Sequence, residues 1–117
     1  MKKLLFVLAL ALSGTANADL NDFYIVDMLC RSKADDATFA YRQKQALADF
    51  GPKGSISREN LIESYVTNDH YSDKIKEDKM HEISLFAINY AFDKATSMKD
   101  AEMATYTKCM DIFKLYR

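Results

Sequence analysis

Two cysteines, Cys30 and Cys109, and two histidines, His70 and His81, are the residues here best suited to covalent chemistry. Paired as thiol and imidazole they would make a nucleophile, the histidine drawing off the cysteine proton. Paired with each other, the cysteines make a disulfide and attack nothing. The start of the chain favours the disulfide. Lys2 and Lys3 are followed by an unbroken apolar run from Leu4 to Leu12, then by Ser13 and Gly14. Ala16-Asn17-Ala18 is the small-x-small pattern that signal peptidase cuts, so residues 1–18 read as a secretory signal with Asp19 as the new N-terminus. The layout is bacterial and the expected destination is the periplasm, where cysteines oxidise. An even cysteine count in an exported chain reads as a disulfide. Closing so long a loop is worth about 4 kcal/mol in the chain-entropy model. No Cys-x-x-Cys is present, so the bridge is expected to be structural rather than redox-active.

The other chemical templates fail on spacing. There is no Gly-x-Ser-x-Gly, no glycine-rich phosphate loop and no His-Glu-x-x-His; His81-Glu82 only begins that last motif. Glu77, Asp78 and His81 fall within one helical turn and could hold a metal. The carboxylates belong to a Lys-Glu-Asp-Lys run, however, which reads as a solvated face. Asp35-Asp36 reads as a capping pair. Met28, Met80, Met98, Met103 and Met110 are scattered as core fillers rather than clustered as ligands. No enzyme activity, metal or cofactor is expected.

Recognition remains. Asn68-Asp69-His70-Tyr71-Ser72-Asp73 gathers acids, an imidazole and an aromatic into six residues, a mix suited to protein contact. Gly51-Pro52-Lys53-Gly54-Ser55 reads as a protruding connection. The candidate partner contacts are Asp69, His70, Tyr71 and Asp73, with Lys53 beside them.

The elements that must position these groups read as all-α. After the signal, the only Gly and Pro are Gly51, Pro52 and Gly54, so little else interrupts a helix. Alternating β patterns are absent. Residues 19–117 form one domain of 99 residues with 14 basic and 17 acidic side chains. That balance, without a basic cluster, disfavours nucleic acid and anionic membranes. The apolar run of the signal is too short to span a bilayer. A compact bundle of about five helices is expected. The first runs from about Leu20 to Arg31, with Phe23, Val26, Met28, Leu29 and Cys30 as apolar surface. The second follows Asp36 as cap and ends at Phe50, with Gly51 as its left-handed C′ residue. The third starts at Ser57, a good N-cap. The fourth runs from about Asp73 to Lys94 and is apolar nearly all round from Ile83 to Phe92, which places it mid-bundle. The fifth is capped by Ser97, with Asp100 in a capping-box position and Met103, Tyr106, Met110 and Phe113 facing inward. The Cys30–Cys109 bridge would join the first and last helices.

One cysteine near each end of a small exported helical chain, together with Tyr106-Thr107-Lys108-Cys109-Met110-Asp111-Ile112-Phe113, resembles the periplasmic amidase-immunity proteins of type VI secretion systems. The resemblance implies a helical inhibitor, often a homodimer. Its target would be a toxin, a papain-like cysteine amidase that cuts peptidoglycan cross-bridge peptides, and a loop between helices would block that enzyme's groove. A second reading, from the many carboxylates and the single bridge, is a small periplasmic acid-stress chaperone.

Overall fold

The computed structural model describes the backbone of residues 14–113 and the side chains of residues 23–113. Residues 1–13, which carry most of the expected export signal, lie outside it. Among the described residues every regular element is helical. They are α1 (Gly14–Phe50), a 3₁₀ turn (Pro52–Gly54), α2 (Arg58–Ile62) with a π-helical continuation (Glu63–Thr67), α3 (Lys74–Asp93) and α4 (Met98–Phe113). None of these is long and apolar enough to cross a membrane.

The first two expected helices are one. Asp36 does not cap a second helix; it lies in the middle of α1, 3.6 Å from the Lys33 ammonium one turn back. Thr38 Oγ1 donates to the Asp35 carbonyl at 2.8 Å, a local bond that leaves the helix intact. Ala34, Ala37 and Ala40 are buried, so tertiary burial carries α1 through a stretch whose acidic pair only weakly favours a stop. The helix ends where the sequence marks an end. Gly51 sits at φ 82°, and its N–H donates to the Leu47 carbonyl at 2.9 Å. Pro52 then opens the 3₁₀ turn.

The remaining caps follow the sequence. Ser57 Oγ accepts the Asn60 N–H at 3.1 Å. Asp73 accepts the N–H of Ile75 at 3.0 Å. Ser97 Oγ accepts the Asp100 N–H at 3.0 Å, and the Asp100 carboxylate reaches back to the Thr96 N–H at 2.9 Å. Each satisfies an amide that the first turn of a helix leaves without a partner.

The Cys30–Cys109 disulfide is formed, with Cα atoms 5.5 Å apart and both residues fully buried. It ties the lower half of α1 to the end of α4, while Arg42 Nε donates to Met98 Sδ at 3.3 Å higher up. The two helices are therefore antiparallel. α3 runs alongside α1 in the same sense, its Ile75 near Ile25 and its Phe92 near Leu47. The core divides in two. Above, Ala37, Ala40, Leu61, Ala87, Ile88, Ala91, Ala95 and Ala101 pack among half-buried aromatics. Below, Val26, Cys30, Met80, Ile83, Cys109 and Met110 surround the bridge.

Several facing assignments differ from expectation. Phe23, Met28 and Met103 are exposed. On α4 the inward side is Ala101, Thr105, Cys109 and Met110. α3 is not buried all round, because Leu85 reaches solvent.

Candidate functional site

The recognition segment is built on a buried lysine. Lys33 is only 5% exposed. Its ammonium lies 3.6 Å from Asp36 on its own helix and 3.9 Å from Asp69 in the segment between the π-helical turn and α3. A lysine buried this deeply is tolerated only when paired. Asp69 also accepts the Tyr71 hydroxyl at 3.2 Å, and its backbone carbonyl accepts His81 Nε2 at 2.5 Å. His81 therefore carries its proton on Nε2. Tyr71 stands edge-on to the His81 ring at 6.5 Å, with the Lys76 ammonium 5.9 Å from its centroid.

Glu77 makes the second anchor. It is 8% exposed and accepts the Tyr71 N–H at 3.2 Å and His70 Nδ1 at 3.0 Å, with Lys74 at 3.6 Å. The solvated-face reading holds for Asp78, which is exposed and pairs with Lys74, but not for its neighbour. A helix is solvated on one side only, and Glu77 falls three residues before buried Met80.

The electrostatics follow from these contacts. Burial, then the adjacent Asp69 charge, pushes the Tyr71 phenol up to about 12. The His70 hydrogen bond, then the Tyr71 amide, holds the Glu77 carboxyl below its ordinary value. Burial raises the Asp36 carboxyl against the opposing pull of Lys33. Tyr65, on the π-helical turn, is raised by burial and then by the Asp36 charge.

Asp69, His70 and Tyr71 are thus gathered, and Asp73 lies at the end of the same segment, but their roles differ. Asp73 is occupied as the N-cap of α3, accepting the amides of Ile75 and Lys76. Asp69 faces inward. Tyr71 is half-buried, and His70 is the outward group, its side chain 76% exposed. Lys53 is not part of the group. It sits in the 3₁₀ turn beyond Phe50, and Lys33 to Phe50 alone is about 25 Å of helix. Both cysteines are in the bridge and no cysteine is free, so the thiol–imidazole pairing has no thiol. Among the described residues no group of acids, histidines and cysteines has metal-site geometry.

No family model matches the chain, and no curated protein or solved structure matches it. Its reading therefore rests on its own residues. Lys33 is not singled out by the sequence, and Glu77 and His81, which also hold the segment, read there as metal candidates, with Asp36, the partner of Lys33, reading as a cap. The signal was present for two of them. Lys33 lies three residues after Cys30 and four before Ala37, on the buried face, and Glu77 stands likewise before Met80.

A second surface lies at the lower end. A groove of about 400 Å³ there includes Ile25, Leu29, Ile75 and Phe113, with Lys76 and Lys79 among its lining residues. Of its lining residues Ile25 and Ile75 are exposed, and Tyr24 and Met28 are exposed elsewhere on the same stretch of α1.

Proposed function

We propose that this chain is an exported, non-enzymatic inhibitor: an immunity protein that occludes the active-site groove of a peptidoglycan-cutting cysteine amidase in the periplasm. The observation that supports the reading is the anchoring of residues 69–71. A segment of acids, imidazole and phenol is held by a buried lysine and a buried glutamate before any partner arrives. A preorganised inhibitory loop loses little conformational freedom on binding, and its affinity gains accordingly. His70 projects outward from that rigid base, with Tyr71 supplying an aromatic flank.

The test is affinity capture of the tagged mature protein from its native periplasm after contact with competing cells, then titration of purified wild-type and variant chains with the captured enzyme. A stoichiometric Cys/His hydrolase, inhibited by the chain and bound at least tenfold more weakly by His70→Ala, supports the reading. His70→Ala is preferred to Tyr71→Ala because His70 is the more exposed of the two, although it also removes the His70–Glu77 bond. Equal affinity of His70→Ala and wild type removes the segment from the interface.

A chaperone remains the second reading, favoured by the exposed Ile25 and Ile75 of the lower groove and the exposed Tyr24 and Met28 of α1. It predicts reversible binding of a hydrophobic dye on acidification and a broad set of captured proteins in place of one enzyme.

A further inference from the structure

The polar ties that fasten residues 69–71 to the helices all run through ionisable side chains. Lys33 holds the Asp69 carboxylate, His81 holds the Asp69 carbonyl, and Glu77 holds the Tyr71 amide and His70. Backbone pairing stops just before, with Asn68 donating to the Glu63 carbonyl at 2.8 Å. We propose that residues 69–71 form an acid-released clasp: ionised Asp69 and Glu77 hold the segment on Lys33 and the start of α3, and protonation of both carboxylates frees it.

The two sides of the clasp are unequal. Lys33 lies one turn from Cys30, whose bridge to Cys109 fixes that part of α1, and buried Ala34 and Ala37 hold the helix beyond it. An ammonium left without its Asp69 partner therefore cannot be carried to water by the helix. Asp36, 3.6 Å away on the same helix, remains its partner, and lifting of the segment lets water take the place of Asp69 at the ammonium.

The charged and ionisable groups around the clasp act in different senses. From α1, Asp36 faces Lys33, with Asp35 next to it; from the π-helical turn, Tyr65 faces Asp36; Tyr71 faces Asp69 and Asp36. From α3, His81 Nε2 donates to the Asp69 carbonyl. His70 and Lys74 face Glu77. Glu77 is bound as a carboxylate and held below its ordinary value. Its contribution is present at neutral pH and is lost as the pH falls through that lowered value. Asp36 has the opposite sign. Its carboxyl is raised by burial, so its protonation relieves the closed form. Release thus belongs to Asp69 and Glu77, and Asp36 opposes it. Opening bares Lys33 and the inner edge of Tyr71. In a compartment that follows external pH, it would also switch the surface presented to a partner.

Backbone hydrogen exchange on the oxidised chain alone tests this, with each rate divided by its intrinsic value at that pH. Between pH 7 and about pH 2, low enough to protonate a carboxyl held below its ordinary value, the Tyr71 amide should lose roughly 10- to 100-fold of its protection, the range for a lost bond to a charged acceptor. The Cys109 and Met110 amides in the core of α4 should keep theirs. Asp69→Asn should loosen the Tyr71 amide already at pH 7. Glu77→Gln should flatten the acid step, and Asp78→Asn, an exposed neighbouring carboxylate, should leave it unchanged. The clasp is overturned if Tyr71 protection is constant with pH, or if it falls in step with Cys109 and Met110. It is equally overturned if the step survives intact in the Asp69→Asn, Glu77→Gln double variant.

Discussion

The bundle has two exposed connections on its α2 side, and they are built on opposite principles. The turn after α1 holds itself by local backbone geometry. Gly51 takes φ 82°, Gly54 N–H donates to the Gly51 carbonyl at 3.1 Å, and Ser55 Oγ donates to the same carbonyl at 3.3 Å. Its longest tie spans 13 residues, from the Ile56 amide to Gln43 Oε1 at 2.8 Å. The segment from Asn68 to Asp73 relies on side chains from α1 and α3, with Lys33 and Asp69 36 positions apart. A connection made of backbone depends on residue type at one or two positions. A connection made of side-chain charge depends on the helices that deliver those charges, on pH and on salt.

The largest way to separate the two is to remove the bridge. Cys30→Ser with Cys109→Ser should cost about 4 kcal/mol of unfolding free energy in urea, from the loop-closure entropy returned to the unfolded chain. The comparison sharpens if the loss is uneven. Lys33 is one turn from Cys30, so exchange protection at Tyr71 should drop further than at Gly51, which is some five turns up α1. Equal losses at both connections would show that the bridge holds the whole bundle and not the clasp side in particular.

Gly51→Ala acts on the other connection by a smaller amount. A Cβ at Gly51 would meet nothing within 4 Å, so the cost comes from the backbone alone. At φ 82° and ψ −177° the backbone lies in a region open essentially to glycine, so an alanine there costs about 1–3 kcal/mol, read as a lower thermal midpoint. Protection at Tyr71 should not change. If it falls, the two connections are mechanically coupled through α2 and the division between them fails.

The same division explains what could be read from the sequence. Gly51, Ser57, Asp73 and Ser97 were legible because a cap or a left-handed turn is decided within about four residues. The bridge was legible because two cysteines allow one pairing. The fusion of the first two helices was not. Asp35-Asp36 carries a local stop signal, whereas the burial of Ala34, Ala37 and Ala40 that overrides it is tertiary. The absence of Gly and Pro before Gly51 was the available clue. The candidate segment was found by its composition, but its orientation was hidden. Asp69 turns an oxygen toward α1 because Lys33 waits there, and Lys33 faces inward because it shares a helix face with Cys30 and Ala37. A lysine is ordinarily assigned to solvent, so the residue that organises the segment was passed over.

The smallest effect expected is at the upper end, where α2 is pinned to α3. Arg58 forms a two-pronged pair with Asp93, its Nη1 2.9 Å and its Nη2 2.5 Å from the two carboxylate oxygens. Nη1 also donates to Asn89 Oδ1 at 3.2 Å, and the guanidinium lies 5.0 Å from the centre of the Phe92 ring. The geometry is good, but Asp93 is half exposed and Arg58 a third exposed, and water screens such pairs. Arg58→Ala should therefore lower the thermal midpoint by less than about 4 °C, and the difference should shrink as salt is added. The Asp93 carboxyl, held below its ordinary value by Arg58, contributes at neutral pH and loses its part as the pH falls through that lowered value. The pair is thus acid-sensitive like the clasp, yet the Gly51 turn beside it does not depend on it. Exchange at the Gly54 amide, which donates to Gly51, should match wild type in Arg58→Ala from pH 7 to pH 3.5. If that amide opened with acid in the variant, the upper connection would also be held by charge, and the contrast between the two would be one of degree.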